Sequence, residues 1–192
     1  YKRQFLFKKN KVEYLKGKGV IFSPNDVVVY GDTGKKNYKT KNIVIATGSN
    51  HSTLPGIEID EKNIVSSTGA LSLNKVPKKL IVIGGGYIGL EMGSVWSRLG
   101  AEVTVIEYLD HITPGMDKEI SQEFLKILKK QGINFKLNSK VSSVKNVKER
   151  VEVKFQDNKS KENGSIFADK VLVSVGRKPY TEGLNLSKIG ID

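Results

Sequence analysis

The 192-residue sequence contains no cysteine, one tryptophan and two histidines. Without cysteine the chain cannot form a disulfide or a thiolate metal site, and we expect no metal site from its other residues. No apolar run approaches the roughly 18 residues that span a bilayer. The first ten residues are basic but lack the apolar stretch of a secretory signal. These absences predict a soluble globular chain without a membrane span.

Acidic residues are the minority: 20 Asp and Glu stand against 32 Lys and Arg, for a formal net charge of +12. A basic chain can bind nucleic acid, so this class has to be weighed. The lysines are scattered along the whole chain, are not interleaved with aromatic residues, and accompany no nucleic-acid motif. The charge therefore predicts a solvated surface and no nucleic-acid partner.

The first 48 residues suggest short strands, one of them over residues 12–17 (VEYLKG), with a turn at residues 31–34. This region ends in Asn-Ile-Val-Ile-Ala-Thr-Gly-Ser at 42–49. An apolar run that leads into a glycine turn is typical of a buried strand in a parallel sheet. Residues 50–78 are loop-like and contain Pro55 and Pro77.

A repeating strand–helix pattern follows. We predict strands at 80–83, 103–106 and 133–137, helices over 88–99 and 118–131, a hairpin-rich insertion over 141–168, and a returning strand at 170–175. Asp117 should cap the second helix, whose buried stripe we expect at positions 120, 124, 127 and 128. The pattern predicts an α/β fold with a Rossmann-like parallel sheet and an antiparallel β-meander insertion.

The central motif is Gly84-Gly85-Gly86-Tyr87-Ile88-Gly89, which follows a predicted strand and opens a predicted helix. Gly84 suits the tight turn, Gly86 lets a pyrophosphate approach the backbone, and Gly89 lets the helix pack closely on the sheet. The N-terminal N–H groups of that helix would face the phosphates. With Glu107 at the end of the next strand, this is the full context of a dinucleotide-binding fingerprint.

Glu107 indicates NAD rather than NADP. A carboxylate there accepts hydrogen bonds from the adenosine ribose and repels a 2′-phosphate, and residues 108–112 contain no Arg or Lys. We expect loss of this side chain to weaken NADH binding with little change in melting temperature.

Three linked stretches carry a family resemblance: GGGYIGLEMGSVWSRLGAEVTVIE at 84–107, ATGS at 46–49 and VGRKPYTEGLNL at 175–186. They resemble the flavin-dependent pyridine nucleotide–disulfide oxidoreductases, and among these the dihydrolipoamide dehydrogenase family. The similarity extends from about Gly17 to Gly190, and GSVWSRLGA is closer to the mitochondrial than to the plastid type. Other members, of the mercuric, glutathione or trypanothione reductase type, remain alternatives, as does a non-catalytic NAD-binding module.

The resemblance implies the roles of particular residues. It divides the chain into closing strands of an FAD domain (1–49), an NAD-binding domain (50–176) and a returning FAD-domain segment (177–192). The implied NAD contacts are Gly84, Gly85, Gly86, Tyr87, Ile88, Gly89, Leu90, Glu91, Glu107, Val141 and Gly176. The implied FAD contacts are Gly19, Thr47, Gly48 and Ser49. Glu91 would also form an ion pair on the flavin side, its catalytic contribution.

The family reaction is the oxidation of dihydrolipoamide through a redox disulfide and FAD, with hydride transfer to NAD. The resemblance places the redox cysteines before residue 1 and the catalytic His and Glu after residue 192, so we expect the chain alone to be inactive and to retain no FAD. It further implies a homodimer that works with lipoyl domains and 2-oxo acid dehydrogenase complexes. The implied location is the mitochondrial matrix, with the bacterial cytoplasm or the plastid as alternatives.

Overall fold

The computed structural model of the protein describes residues 2–191. It divides into two units, one formed by Tyr1–Ser49 with Pro179–Asp192 and the other by Asn50–Lys178. Tyr1 and Asp192, the outermost residues of the predicted FAD-domain segments, lie outside the described residues.

The first unit contains a helix and an antiparallel sheet. Helix α1 spans Lys2–Lys9, and strands β1 (Lys18–Ser23), β2 (Asp26–Gly31) and β3 (Gly34–Lys39) pair in that order. The turn predicted at residues 31–34 joins β2 to β3. Ile21 and Val28 are the buried apolar residues of this sheet.

Two strands predicted in the first unit are wrong. Residues 12–17 and 42–48 form no strand, and Val44 is 88% exposed. An apolar or alternating run becomes a strand only if a neighbouring strand satisfies its backbone N–H and C=O groups. Among residues 2–191 no strand pairs with either segment.

The remaining elements follow in chain order. They are β4 (Ser49–His51), β5 (Ile64–Val65), α2 (Ser67–Leu71), β6 (Lys79–Ile83), α3 (Tyr87–Arg98), β7 (Glu102–Ile106), α4 (Lys118–Lys130), β8 (Asn134–Lys136), β9 (Ser139–Val147), β10 (Arg150–Asp157), β11 (Asn163–Ala168), β12 (Lys170–Val173), β13 (Arg177–Pro179) and a 3₁₀ helix (Leu186–Ile189). The sequence did not predict β5 and α2, which lie in the segment interpreted as loop.

Two sheets form the second unit. A five-stranded parallel sheet has the order β5-β12-β6-β7-β8, and β9, β10 and β11 form an antiparallel meander. The predicted α/β fold, with a parallel sheet and a β-meander insertion, is confirmed. No helix among residues 2–191 combines the length and the apolar character needed to cross a membrane.

The core of the second unit lies on both faces of the parallel sheet. Val82 and Val103 pack in a cluster with Leu90 of α3 and Leu128 of α4. Alternate residues such as Ile81 point to the other face and belong to a cluster that includes the meander. Because both faces are covered, β6 is apolar at every position from Leu80 to Ile83.

Helix α4 begins as predicted, and its buried stripe overlaps the predicted one at positions 124 and 128 but not at 120 and 127. The Asp117 carboxylate accepts hydrogen bonds from the N–H groups of Glu119 and Ile120 at 2.9 and 3.2 Å. Ile120 and Ile127 are half-exposed, however, and the buried positions are Ser121 and Leu128, with Phe124 and Leu125 partly buried. The periodicity identifies an amphipathic helix, whereas contact with the sheet sets its rotation by about one residue.

Candidate functional site

The glycine turn lies at the carboxyl end of the parallel sheet. Residues 84–86 connect β6 to α3, and the carboxyl ends of the neighbouring strands β7 and β12 lie on either side. In open α/β sheets, ligands bind in the crevice outside the carboxyl ends of the strands. The turn predicted from the sequence therefore lies where such a fold binds its ligand.

Two of the motif glycines are required by the fold itself. Gly84 has a φ of 106°, and a Cβ on it would lie 2.5 Å from the Ser174 carbonyl oxygen. A Cβ on Gly89 would lie 2.5 Å from Ser174 Oγ and 2.9 Å from Val82 Cγ1. These glycines permit the tight turn and the close approach of α3 to the sheet.

Gly86 is different. A Cβ on this residue would meet no atom within 4 Å, and its φ of −76° is open to any L-residue. It is the N-cap of α3 and provides no side chain to cap the helix. Nothing within residues 2–191 therefore requires a glycine here, and the helix N-terminus beside it is open to a ligand.

Glu107 holds the turn from the side of β7. Its side chain is 8% exposed; one carboxylate oxygen accepts a hydrogen bond from the Gly85 N–H at 2.6 Å and the other from the Leu109 N–H at 2.8 Å. Buried hydrogen bonds to a charged acceptor contribute roughly 1.5–3 kcal/mol. Our expectation that its removal would leave stability almost unchanged therefore does not fit the geometry.

Sequence reasoning did not assign two residues that contact the turn. Ser174 Oγ lies 3.0 Å from the Ile83 carbonyl oxygen and 3.3 Å from that of Gly84. The Thr113 N–H donates to the Gly85 carbonyl oxygen at 2.8 Å. The serine was visible as a polar residue at the end of an apolar strand. No sequence signal marked Thr113, because its contact comes from the path of a loop.

The predicted contacts on α3 separate into exposed and buried side chains. Tyr87 is 66% exposed in the first turn, Ile88 is partly buried, and Leu90 lies in the core, where it packs the helix on the sheet. Glu91 is exposed, and no hydrogen bond or ion pair among residues 2–191 involves its side chain. Its flavin-side role stays a prediction.

Val141 and Gly176 lie in different elements. Val141 is partly buried in β9, two residues after Ser139, whose N–H donates to the Glu107 carbonyl oxygen at 2.8 Å. Gly176 follows β12 with a φ of 125°, and its carbonyl oxygen accepts a hydrogen bond from the Ser52 N–H at 2.9 Å. Their roles in NAD binding stay predictions.

The predicted FAD contacts lie in the first unit. Gly19 is in β1 opposite Val29. The Thr47 hydroxyl donates to the Tyr180 carbonyl oxygen, and the Tyr180 N–H donates to the Gly48 carbonyl oxygen at 2.9 Å. The turn at 47–49 is thus tied to the C-terminal segment, which the sequence did not indicate.

Among residues 2–191, neither histidine side chain forms a hydrogen bond with the glycine turn. His51 is partly buried in β4. His111 Nδ1 lies 2.7 Å from Asp110 Oδ1, and this hydrogen bond lowers the pKa of the Asp110 carboxyl below its ordinary value. The pair lies on the surface of the loop after β7.

Comparison with known proteins identifies a family. The family described as pyridine nucleotide-disulphide oxidoreductase matches residues 2–192. The chain is 58% identical over 191 residues to the dihydrolipoamide dehydrogenase of Chaetomium thermophilum and 56% identical over 188 residues to dihydrolipoyl dehydrogenase 1, mitochondrial, of Arabidopsis thaliana. The matches cover 98% and 97% of this chain but 38% and 37% of those relatives. The chain thus spans a little over a third of their length.

Solved structures show the same fold. The Cu(II) complex of the HOCl-induced flavoprotein disulfide reductase RclA from Escherichia coli matches 98% of this chain and 44% of its own length, with a TM-score of 0.79 and 27% identity. LpdA from Mycobacterium tuberculosis matches 92% of this chain and 38% of its own, with a TM-score of 0.78 and 24% identity. The second likeness is one of fold alone.

Proposed function

Since the chain belongs to the pyridine nucleotide-disulphide oxidoreductase family, we propose that it supplies the NAD(H)-binding domain of a dihydrolipoamide dehydrogenase. The proposed reaction of the whole protein is oxidation of dihydrolipoamide to lipoamide with reduction of NAD. The high identity to relatives that carry this name supports the choice within the family. A disulfide reductase with another substrate is the alternative.

The observation that carries the proposal is the open space over Gly86. The residue has room for a Cβ that it does not carry, and it stands at the uncapped N-terminus of α3. A pyrophosphate fits this position because the free N–H groups and the positive end of the helix dipole both favour an anion. The residues present therefore fit the nucleotide that the family uses.

Glu107 supports NAD over NADP. Each oxygen of a carboxylate has two acceptor positions, so both oxygens can accept a further hydrogen bond beside those from Gly85 and Leu109. A ribose hydroxyl can supply such a bond, whereas a 2′-phosphate would bring a second negative charge to a buried carboxylate. When bound, NAD supplies the chemistry of a hydride acceptor.

The first unit belongs, in this proposal, to an FAD domain. The proposed boundaries are 1–49 and 177–192 for FAD-domain segments and 50–176 for the NAD-binding domain. Gly19 and the Thr47–Ser49 turn would contact FAD, and Glu91 would pair with a lysine elsewhere in the whole protein. We further propose a homodimer that serves lipoyl domains of 2-oxo acid dehydrogenase complexes. The mitochondrial names of several relatives support a location in the mitochondrial matrix.

A glycine-to-alanine pair tests the nucleotide site. Gly86→Ala should fold normally, because its methyl group meets no atom, but it should weaken NADH binding at least tenfold by occupying the pyrophosphate position. Gly93→Ala, in the same helix, places its methyl group in ordinary contact with Val103 and Val82 at 3.4 and 3.6 Å and should bind like the wild type. Fluorescence titration with NADH and NADPH measures both, with melting temperatures as the control for folding. Equal affinity for NADH and NADPH, or an unaffected Gly86→Ala, contradicts the proposal.

A second test asks whether the 192-residue chain alone has lipoamide-dependent activity or binds flavin. Dihydrolipoamide oxidation needs a thiolate and a second sulfur, and the sequence has no cysteine. We expect no lipoamide-dependent NADH oxidation and no flavin absorbance in the purified chain. Turnover, or a yellow protein with flavin bands, would contradict the proposal that this chain supplies the NAD(H)-binding domain without the redox disulfide and the complete FAD site.

A further inference from the structure

The peptide groups of the glycine turn are held from several sides. In the peptide between Gly84 and Gly85, the Gly84 carbonyl oxygen accepts a hydrogen bond from Ser174 Oγ. The Gly85 N–H donates to the Glu107 carboxylate. In the next peptide, between Gly85 and Gly86, the Gly85 carbonyl oxygen accepts a hydrogen bond from the Thr113 N–H at 2.8 Å. Its N–H, that of Gly86, has no acceptor among residues 2–191.

Planarity links these two ends of the second peptide. In a trans peptide the C=O and N–H bonds point in opposite directions from one plane. A carbonyl oxygen fixed on Thr113 therefore fixes the direction of the Gly86 N–H on the opposite side. That N–H belongs to the residue with open space around it. The loop after β7 thus determines where the free donor of the turn points.

Thr113 adopts an unusual conformation to make this bond. Its φ is 49°, in the left-handed region that a β-branched residue rarely adopts. Its side chain is almost completely buried, and its Oγ1 lies 2.8 Å from Oγ of Ser121, a buried residue in the first turns of α4. The hydroxyl pair attaches the strained residue to the helix. Backbone strain of this kind persists only where surrounding contacts hold it.

We infer that Thr113 and Ser121 are positioning residues, which hold the Gly85–Gly86 peptide so that the Gly86 N–H faces a phosphate of the bound nucleotide. The inference rests on the proposed NAD(H) binding and extends it to α4, which the motif does not include. In this arrangement the hydroxyl pair fixes Thr113, Thr113 fixes the peptide plane, and the plane fixes the donor.

Hydroxyl removal on either side tests the inference in the 192-residue chain. Thr113→Val keeps the side-chain shape, and Ser121→Ala introduces the residue with the highest helix propensity, so both should fold. Each should lower NADH affinity about three- to tenfold, the loss expected for one buried hydrogen bond. Thr113→Ser keeps the hydroxyl and should bind like the wild type. Ser165→Ala removes an exposed hydroxyl bonded to Glu152 on the meander and is the control for loss of a hydroxyl away from the glycine turn.

The double variant separates positioning from a merely structural role. Removing both partners of a buried hydrogen bond can restore stability, because no polar group is left unpaired. We expect Thr113→Val with Ser121→Ala to recover melting temperature relative to the single variants but not NADH affinity. Recovery of both would show that the pair serves only packing and would overturn the inference, as would single variants with wild-type affinity.

A spectroscopic measurement without ligand distinguishes failure of this inference from failure of the proposed function. The amide resonance of Gly86 should shift in Thr113→Val and Ser121→Ala and stay in place in Ser165→Ala. Suppose that the wild type binds no NADH although the Gly86 resonance shifts in Thr113→Val and Ser121→Ala. In that case the proposed function is wrong, but the inference that Thr113 and Ser121 orient the Gly85–Gly86 peptide is supported. A Gly86 resonance that is unchanged in all variants overturns the inference, whatever the affinity.

Discussion

Two apolar segments of this chain have nearly the same sequence pattern, but one is a buried strand and the other is exposed. Residues 43–46 (Ile-Val-Ile-Ala) and 80–83 (Leu-Ile-Val-Ile) are four-residue runs that lead into glycine turns. Val82 is completely buried in β6, whereas Val44 is 88% exposed in a segment without strand pairing. Composition therefore does not explain the difference.

The difference lies in the neighbours. β6 pairs with β12 and β7, and its two faces are covered by helices and by the meander. Among residues 2–191 no strand pairs with residues 43–46. A buried parallel strand needs at least one paired neighbour and cover on both faces, so an apolar run indicates a capacity for burial and not burial itself. In our proposal a larger FAD domain would provide those partners.

The largest expected effect tests this comparison with one substitution at two places. Val82→Ala should lower the free energy of unfolding by about 2–3 kcal/mol, because it removes buried methyl groups and leaves a cavity. Val44→Ala should change it by less than about 0.5 kcal/mol, as exposed substitutions usually do. Chemical denaturation of the two variants measures both. Similar losses of unfolding free energy in the two variants would mean that residues 43–46 are buried in solution. The two segments would then not differ in burial.

A smaller effect on stability is expected at the glycine turns that follow the two apolar runs. The turn after β6 depends on the Glu107 carboxylate, whereas the turn at 47–49 is tied to the backbone of Tyr180. Glu107→Gln replaces one acceptor with a donor that faces a backbone N–H, so we expect a loss of about 1–3 kcal/mol in unfolding free energy. NADH affinity should also fall.

Glu102→Gln is the matched control for that loss. Glu102 is the first residue of β7, the strand that Glu107 follows; it is half-exposed and pairs with Lys79 at 3.2 Å. Exposed ion pairs contribute at most about 1 kcal/mol. If the Glu107 variant is no less stable than the Glu102 variant, the two backbone hydrogen bonds do not hold the turn.

The smallest expected effect is a pH dependence confined to the second unit. Partial burial raises the pKa of Asp60, but hydrogen bonds from the Asn146 side chain and from the N–H groups of residues 62–64 outweigh it and lower the pKa to about 2. Because the folded-state pKa is below the ordinary 3.8, the stabilisation is present above pH 3.8 and is lost as the pH falls through about 2. Because solvent screens this partly exposed carboxylate, we expect about 1 kcal/mol, well below the value that the full pKa change would give.

Denaturation between pH 5 and pH 2 checks this dependence, with Asp60→Asn flattening the acid limb of the curve. Asp32→Asn is the control in the first unit, where the exposed carboxylate pairs with Lys16 at 3.3 Å. That variant should follow the wild type closely. An equal flattening in both variants would assign the pH dependence to general surface charge.

Much of the fold was predictable because local signals and tertiary contacts agree there. The strands 80–83 and 103–106 and the helices from 88 and 118 follow from apolar runs, periodicity and the Asp117 cap. The glycine turn was predictable because few residue types tolerate a φ of 106° or the space beside Ser174. The short elements β5 and α2 were missed, since two and five residues carry too little pattern.

The sequence by itself determined the α/β class, the dinucleotide fingerprint and the family, because these depend on residue types at fixed spacing. Only the tertiary structure decided which apolar runs are buried, which face of α4 packs, and that Glu107 and Thr113 hold the two sides of Gly85. The physical reason is range. Periodicity and turn geometry act within a few residues, whereas the hold on Gly85 joins residues 22 and 28 positions apart that meet only when the sheet has formed.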